Sequence, residues 1–412
     1  MELKLYRAGW ALALPAVRML LARRGRGAGM RFLEERLGRD WQARAPGALW
    51  FHCASVGEVM TACPLVRRLH ARGAAPLLVT TNTPTGARTA TRVLPGAVGH
   101  AYLPVDTRRR VARFLDRFRP RALLVCETEI WPELYGACHR RGIPVVLFNA
   151  RLTERTLRAP AWLARLYAQA LAPVRGVLAR SEGDAERFRA LGAHRVQVVG
   201  NLKWAGCPAD PAGPPPSAVP YWAAVSTHED EELRLARIER MLPSDAPVLA
   251  LVPRHPERGP AIAARLRAAG FGVAVRSRGE PPAERIWLVD TLGEALRFMA
   301  HAELVFMGGS LVPAGGHNLL EPARLGRAVV VGPHMEDFAQ ETEDLVEAGA
   351  VVQVDDEGEA GRTIARLLAD AAARRALGQA AAAFVAARGE TVLEAYLAEL
   401  HAARLPLDRA PA

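Results

Sequence analysis

Residues 207–220 read CPADPAGPPPSAVP, six prolines in fourteen positions with neither strand alternation nor helical spacing. Such a stretch reads as a linker between two bodies. On its N-terminal side, seven short apolar runs read as strands: LWFHCA (49–54), APLLVTT (75–81), HAYLP (100–104), RALLVCE (121–127), IPVVLFN (143–149), GVLARS (176–181) and VQVVGN (196–201). Seven more follow it: YWAAVST (221–227), PVLALVP (247–253), GVAVRS (272–277), RIWLVD (285–290), LVFMGG (304–309), AVVVGP (328–333) and AVVQVD (350–355). Most are followed by stretches with helical spacing, such as 57–72 and 107–118, and strands alternating with helices build parallel sheets covered on both faces. The expected fold is α/β, two doubly wound Rossmann-like domains of similar size, with a ligand cleft between them at the carboxyl ends of the strands. Alanine-rich residues 363–405 are expected to be helical, and whether they return onto the first domain stays open.

Composition narrows the function. A chain of 412 residues needs more than one core. Half its residues are apolar and 24% charged, which excludes a disordered or fibrous protein. No run approaches the ~20 uncharged apolar residues of a spanning helix, which excludes a polytopic membrane protein. Five cysteines, an odd number without a C-x-x-C pair, suggest neither a disulfide framework nor a zinc site. They are expected to be buried thiols in a reducing compartment. The net charge of +11 suits phosphorylated substrates or an anionic membrane surface. Without a nucleic-acid signature, no nucleic-acid partner is expected. Only two of the 54 basic residues are lysines, Lys4 and Lys203.

Residues 8–22, AGWALALPAVRMLLA, are apolar, interrupted by Pro15 and Arg18, and followed by Arg23, Arg24 and Arg26. A secretory signal has its charges on the other side. Two readings are open: an interfacial helix with Trp10 at headgroup level and arginines toward lipid phosphates, or a helix of the first core.

Chemistry-bearing residues gather where predicted strands end. After the first strand, Ala54-Ser55-Val56-Gly57-Glu58 enters a helix; Glu58 is either a general base or an acid complementing the helix dipole. Cys126-Glu127-Thr128-Glu129-Ile130-Trp131-Pro132-Glu133 puts three acids at a strand terminus. Arg151 and Arg155 are four residues apart and suit phosphate, unless Glu154 neutralises them. Lys203, in Gly200-Asn201-Leu202-Lys203-Trp204, offers a mobile cation before the linker. In the second half, Ser226-Thr227-His228-Glu229, Pro253-Arg254-His255-Pro256-Glu257-Arg258 and Asp290-Thr291-Leu292-Gly293-Glu294 end three strands. The most specific element is MGGSLVPAGGHNLLEP (307–322), whose two glycine pairs lead into a helix at His317-Asn318. Its backbone amides are expected to wrap an anion, and Glu321 to accept from ribose hydroxyls. Neither a P-loop nor a G-x-G-x-x-G fingerprint is present.

Taken in order, ASVGE, TNTPTG, CETEIWPEL, NARLTER, NLKW, STHE, VPRHPER, DTLGE, GGSLVPAGGHNLLEP and GPHMEDF give the sequence a resemblance to the 3-deoxy-D-manno-octulosonic acid (Kdo) transferases of lipopolysaccharide assembly, over almost the whole chain. The departures are threonines at 153 and 156 where serine is frequent, and an acidic Met335-Glu336-Asp337.

The resemblance implies a GT-B type, inverting, metal-independent glycosyltransferase without a cofactor, using CMP-Kdo as co-substrate and a lipid A precursor as acceptor. It implies Glu58 as general base, with Glu127 and Lys203 assisting. Arg254, His255, Leu292, Gly293, Glu294, Gly309, Ser310, Asn318, Leu319, Leu320 and Glu321 would hold the donor. The domain plan that follows has a membrane-associated segment (1–28) and an acceptor domain (29–206). After the linker (207–220) come a donor domain (221–388) and a C-terminal helix (389–412). The expected location is the cytoplasmic side of the inner membrane. The rival readings are another GT-B nucleotide-sugar enzyme, such as one with a different donor or an epimerase, and a non-catalytic membrane scaffold.

Overall fold

The computed structural model describes residues 1–25, 29–41, 46–74, 76–207 and 213–407. Within the linker 207–220, residues 208–212 lie outside the described residues, as do 26–28 of the N-terminal segment and 408–412 of the C-terminal one. The chain forms two compact units, Met1–Ala209 with Gly389–Ala412, and Asp210–Arg388.

The first unit is built on seven strands: β1 (Leu49–His52), β2 (Leu77–Thr81), β3 (Gly99–Tyr102), β4 (Ala122–Cys126), β5 (Val145–Ala150), β6 (Gly176–Ala179) and β7 (Val196–Val198). They pair in the order β3-β2-β1-β4-β5-β6-β7, each pair parallel. β1, β2, β4, β5 and β6 are buried along their whole length, as strands covered by helices on both faces must be. One face packs Trp50, Phe114, Phe118, Leu123 and Leu147 into the main core. The strand order reverses between β1 and β4, and ligands of such sheets bind outside the strand ends at that switch point.

The second unit repeats the plan with β8 (Tyr221–Thr227), β9 (Val248–Pro253), β10 (Val273–Val275), β11 (Ile286–Leu288), β12 (Leu304–Met307), β13 (Ala328–Val331) and β14 (Val352–Gln353). Its order is β10-β11-β9-β8-β12-β13-β14, again parallel, with the switch point between β8 and β12.

The helix Glu2–Arg24 packs along the first unit through side chains spaced three or four apart. Trp10, Leu14, Val17 and Leu21 join a small cluster with Phe32 and Tyr102. Trp10 is half-buried against this cluster, with its ring edge-on to Tyr6. Polar contacts pin the helix. The Tyr6 hydroxyl donates to buried Asp106 (2.8 Å), Arg7 pairs with buried Glu133, and Glu2 accepts from Arg165 (2.9 Å). Burial pushes the Asp106 carboxyl up to about 7. On the opposite side Leu5, Leu12, Met19 and Leu20 stay exposed. Among the described residues no helix is long and apolar enough to cross a membrane.

The alanine-rich C-terminal stretch is two helices, Glu357–Ala369 and Ala371–Ala402. Asp370 divides them by accepting from the amides of Ala372 and Ala373 (both 2.9 Å). The second helix lies so close to Trp204 that a side chain at Gly389 would meet the Trp204 carbonyl oxygen at 2.6 Å. The cysteine expectation is corrected at one pair. Cys63 and Cys207 form a disulfide across Cα atoms 5.3 Å apart, a proximity that a separation of 144 residues hides from the sequence. Cys53, Cys126 and Cys138 are buried free thiols.

Candidate active site

In the first unit, the switch point is lined by carboxylates. β1 runs out at His52, and Ser55 caps the helix Val56–Ala71 by accepting from the Glu58 amide (3.4 Å). Glu58 reaches back, accepting from the Ser55 hydroxyl (3.1 Å) and the Ala54 amide (2.8 Å), so it closes a capping box. The box accounts for its orientation but not for its electrostatics. Glu58 is 8% exposed, and its carboxyl is raised from 4.5 to about 8. Burial is the main cause, opposed by the Ala54 amide and reinforced by the charges of Glu129 and Glu127. A carboxyl in that range can take or give a proton near neutrality.

Glu127 leaves β4 in a left-handed conformation (φ 58°), held by its amide donating to the Phe148 carbonyl (3.0 Å), a bond that joins the end of β4 to β5. Glu129, which the sequence placed in the same acidic loop but not among the chosen site residues, sits at a polar junction. It lies 3.7 Å from His52 Nε2 and accepts from Asn82 Nδ2 (3.4 Å), while the Arg36 guanidinium donates to Asn82 Oδ1. Arg36 is half-buried, and desolvation lowers it to about 10 despite the Glu129 charge. Asn82 belongs to the TNTPTG motif, the one sequence signal for this junction; Arg36 carried none.

Lys203 lies in a single 3₁₀ turn, Leu202–Trp204, which packs against the helix Val56–Ala71. Asn149, at the end of β5 in a left-handed conformation (φ 47°), accepts from the Leu202 amide (2.8 Å). Its own amide donates to the Tyr396 hydroxyl (3.1 Å), which donates to the Gly200 carbonyl (2.9 Å). The C-terminal helix and the Cys63–Cys207 bond thus brace the lysine turn, and neither was visible in the motif. Glu154 pairs with Arg158 (3.0 Å), and Arg155 is exposed beside it. Near the acidic loop, a groove of about 570 Å³ is lined by Leu5, Trp10, Val17, Ile130 and Trp162, with Glu129 among its walls.

In the second unit, the glycine-rich loop follows β12. At the first glycine pair the loop's amides are taken by a carboxylate of the same unit. The amides of Gly309, Ser310 and Leu311 donate to the carboxylate of Glu231 at 2.7, 3.0 and 2.9 Å, and that of His228 joins them at 3.1 Å. Glu231 is fully buried, and a buried carboxylate needs such donors. Ser310 is buried too; its hydroxyl donates to the Met307 carbonyl and accepts from the Gly332 amide (2.8 Å). The helix begins at Leu320, later than expected, and has five residues. Asn318 donates to Glu321 (3.1 Å) and accepts from the Leu320 amide (3.3 Å), while Leu319 and Leu320 are buried.

Gly309 (φ 71°) lies against two imidazoles. A side-chain carbon there would come within 3.2 Å of His317 and 3.3 Å of His228. Arg254 is exposed and makes no side-chain hydrogen bond or ion pair among the described residues; His255 beside it lies 3.3 Å from Glu257. In the third loop, the Glu294 carboxylate is bound by Arg276 (2.9 and 3.0 Å), which holds it below its ordinary range, while Leu292 is 89% exposed and Gly293 lies exposed beside it.

Sequence relatives show the family. A family profile described as 3-deoxy-D-manno-octulosonic-acid transferase (kdotransferase) matches residues 31–205. The 3-deoxy-D-manno-octulosonic acid transferase of Bordetella pertussis is 36% identical over 408 residues, covering 90% of this chain and 93% of that one. The chain belongs to the Kdo transferase family. The Haemophilus influenzae transferase is 33% identical, with 81% of this chain and 82% of that one covered. As a member of this family the chain is a glycosyltransferase acting in lipopolysaccharide core assembly.

Solved structures show the GT-B fold. A glycosyltransferase from Rickettsia africae matches with a TM-score of 0.61 at 11% identity, over 88% of this chain and 99% of that one. A UDP-GlcNAc 2-epimerase from Neisseria meningitidis matches with 0.56 at 13%, over 85% and 100%. A transferase and an epimerase on one architecture mean that the fold alone does not choose the reaction. The Kdo transferase relatives do.

Proposed function

We propose that the chain moves Kdo from CMP-Kdo to a lipid A precursor with inversion, and that Glu58 removes the proton from the acceptor hydroxyl as its oxygen attacks the anomeric carbon. The proton ends on Glu58 and CMP leaves. The observation that carries this reading is the buried carboxyl at the β1–β4 switch point, held at about 8. Glu127 and Lys203 assist from neighbouring loops of the same unit. In the second unit, Arg254 and His255 meet the donor phosphate, and Leu292, Gly293 and the Asn318–Glu321 segment meet the nucleoside. Gly309 and Ser310 act through the shape of their loop, since Glu231 holds their amides.

The lipid side of the reading is supported by the groove beside Glu129, whose apolar walls and volume suit an acyl chain of the acceptor. It is supported as well by the helix Glu2–Arg24. Its exposed leucines and methionine stand beside Arg18, Arg23 and Arg24, a combination that favours an anionic membrane surface on the cytoplasmic side of the inner membrane. Residues 1–28 serve as this membrane-associated segment in the proposal.

Mass analysis of a lipid A precursor incubated with the enzyme and CMP-Kdo tests the assignment. A product heavier by one or more Kdo residues is expected. An unchanged acceptor, with turnover of a uridine-linked sugar instead, overturns it.

A further inference from the structure

Three amides of the glycine-rich loop are bound to Glu231 and the following helix has only five residues, and two polar side chains lie against Gly309. The two touch each other. His228, from the end of β8, and His317, from the loop after β12, approach Nε2 to Nε2 at 2.8 Å with their rings 16° from parallel. A neutral imidazole has one N–H and one lone pair. This contact therefore needs one ring to donate and the other to accept, and a proton on both facing nitrogens would break it. The pair holds no charge or one charge while the contact lasts.

The surroundings decide which. Facing the pair are Arg254, His255 and Arg258 from the segment after β9, and Asp337 from the segment after β13; the Glu231 carboxylate is occupied by amides. Burial and the neighbouring cations lower both imidazoles, His317 to about 4. The free pair is thus uncharged at neutral pH. An anion placed against it favours a proton there, because its charge attracts the proton and offsets the neighbouring cations, working against the effect of burial. Among the described residues no three His, Cys, Asp or Glu side chains gather as metal ligands.

We propose that the His228–His317 pair takes up one proton from solvent when the phosphate of a cytidine nucleotide binds beside Gly309, so that nucleotide binding and release are linked to pH. The proton lodges on the outward nitrogen of the donating ring, and the shared hydrogen bond remains. This rests on the proposed donor site in the second unit.

The test is calorimetric titration of CMP into the full-length enzyme at pH 7 in buffers of different ionisation enthalpy. Proton uptake per CMP is expected on the order of one. At that pH the nucleotide phosphate, with its second pKa near 6, is already about nine-tenths ionised and contributes little of its own. Cytidine without phosphate should bind with no uptake, and His317→Asn and His228→Asn should each abolish the uptake while CMP still binds, about tenfold or more weakly. CMP binding without uptake in the wild-type enzyme refutes the proton linkage and leaves the donor site standing, as does full uptake in both variants. Failure of CMP to bind at all removes the donor site, and this proposal with it.

Discussion

Replacing Glu58 by Gln tests the catalytic role and its electrostatic origin together. The amide keeps the shape of the side chain, so its oxygen can still accept from the Ala54 amide and its nitrogen can donate to the Ser55 hydroxyl, preserving the capping box. What it removes is the ionisation. The folded carboxyl lies at about 8 against an ordinary 4.5, so the folded state binds the proton more tightly than the unfolded chain. Stability is therefore highest on the acid side and falls as pH rises between those two values. The gap corresponds to about 5 kcal/mol above pH 8 and about 2 kcal/mol at pH 6. The advantage of the variant over the wild type should accordingly grow by about 2–3 kcal/mol from pH 6 to pH 9, on the order of 5–10 °C in melting temperature for a unit of this size. Scanning calorimetry of both proteins across that range reads the difference, and transfer assays at pH 8 should show a loss of about 10²-fold or more. A melting-temperature difference that does not change with pH would refute the ionisation penalty. Near-normal turnover in the variant would remove Glu58 from proton transfer.

Two further outcomes follow from the same geometry. Glu129→Gln removes a like charge near Glu58, so the Glu58 carboxyl falls and the acid limb of the pH–rate profile moves to lower pH; a profile that stays in place contradicts the coupling. Leu12→Glu, at a position 84% exposed, should weaken binding to anionic vesicles by about tenfold or more while CMP binding is unchanged. Equal vesicle binding would show that this helix face does not meet lipid.

The sheets were legible because fully buried parallel strands must be short apolar runs. All fourteen expected runs contain or overlap a strand, though most were read too long at one end or both. LWFHCA stops being a strand at His52, since Cys53 and Ala54 already turn toward the helix that Ser55 caps. The same confusion appears at the glycine-rich loop. Glycines before a short helix look alike whether their amides face a ligand or an internal carboxylate, and Glu231 lies 78 residues from Gly309 in the chain. Partners of that kind are set by the order of strands in space. β8 and β12 are neighbours only because the sheet reverses there, and the adjacency of β9 to β11, with β10 at the edge, has no local signature either. Glu58 and Glu127 could be singled out from sequence because Glu127 follows its strand directly and Glu58 lies in the first turn of the helix after one. Arg36, Tyr396 and the Cys63–Cys207 bond were not, because they reach the site from distant segments.

These distant reaches have a common physical purpose. A carboxyl held at about 8 beside two other acids opposes folding whenever it ionises, and left-handed Glu127 and Asn149 add backbone strain on the order of 1 kcal/mol each. Loops carrying such costs relax unless something fixes them. In the first unit the fixing elements come from far along the chain: Tyr396 bonded to both Asn149 and the Gly200 carbonyl, Gly389 pressed on Trp204, and the disulfide beside the lysine turn. In the second unit Glu231 does the same for the loop after β12, at the cost of the amides that would otherwise attract an anion. Rigidity there is gained by committing three backbone donors to an internal carboxylate. In both units, then, the residues that fix a strand-end loop come from elsewhere in the chain, and the loop's own sequence does not name them.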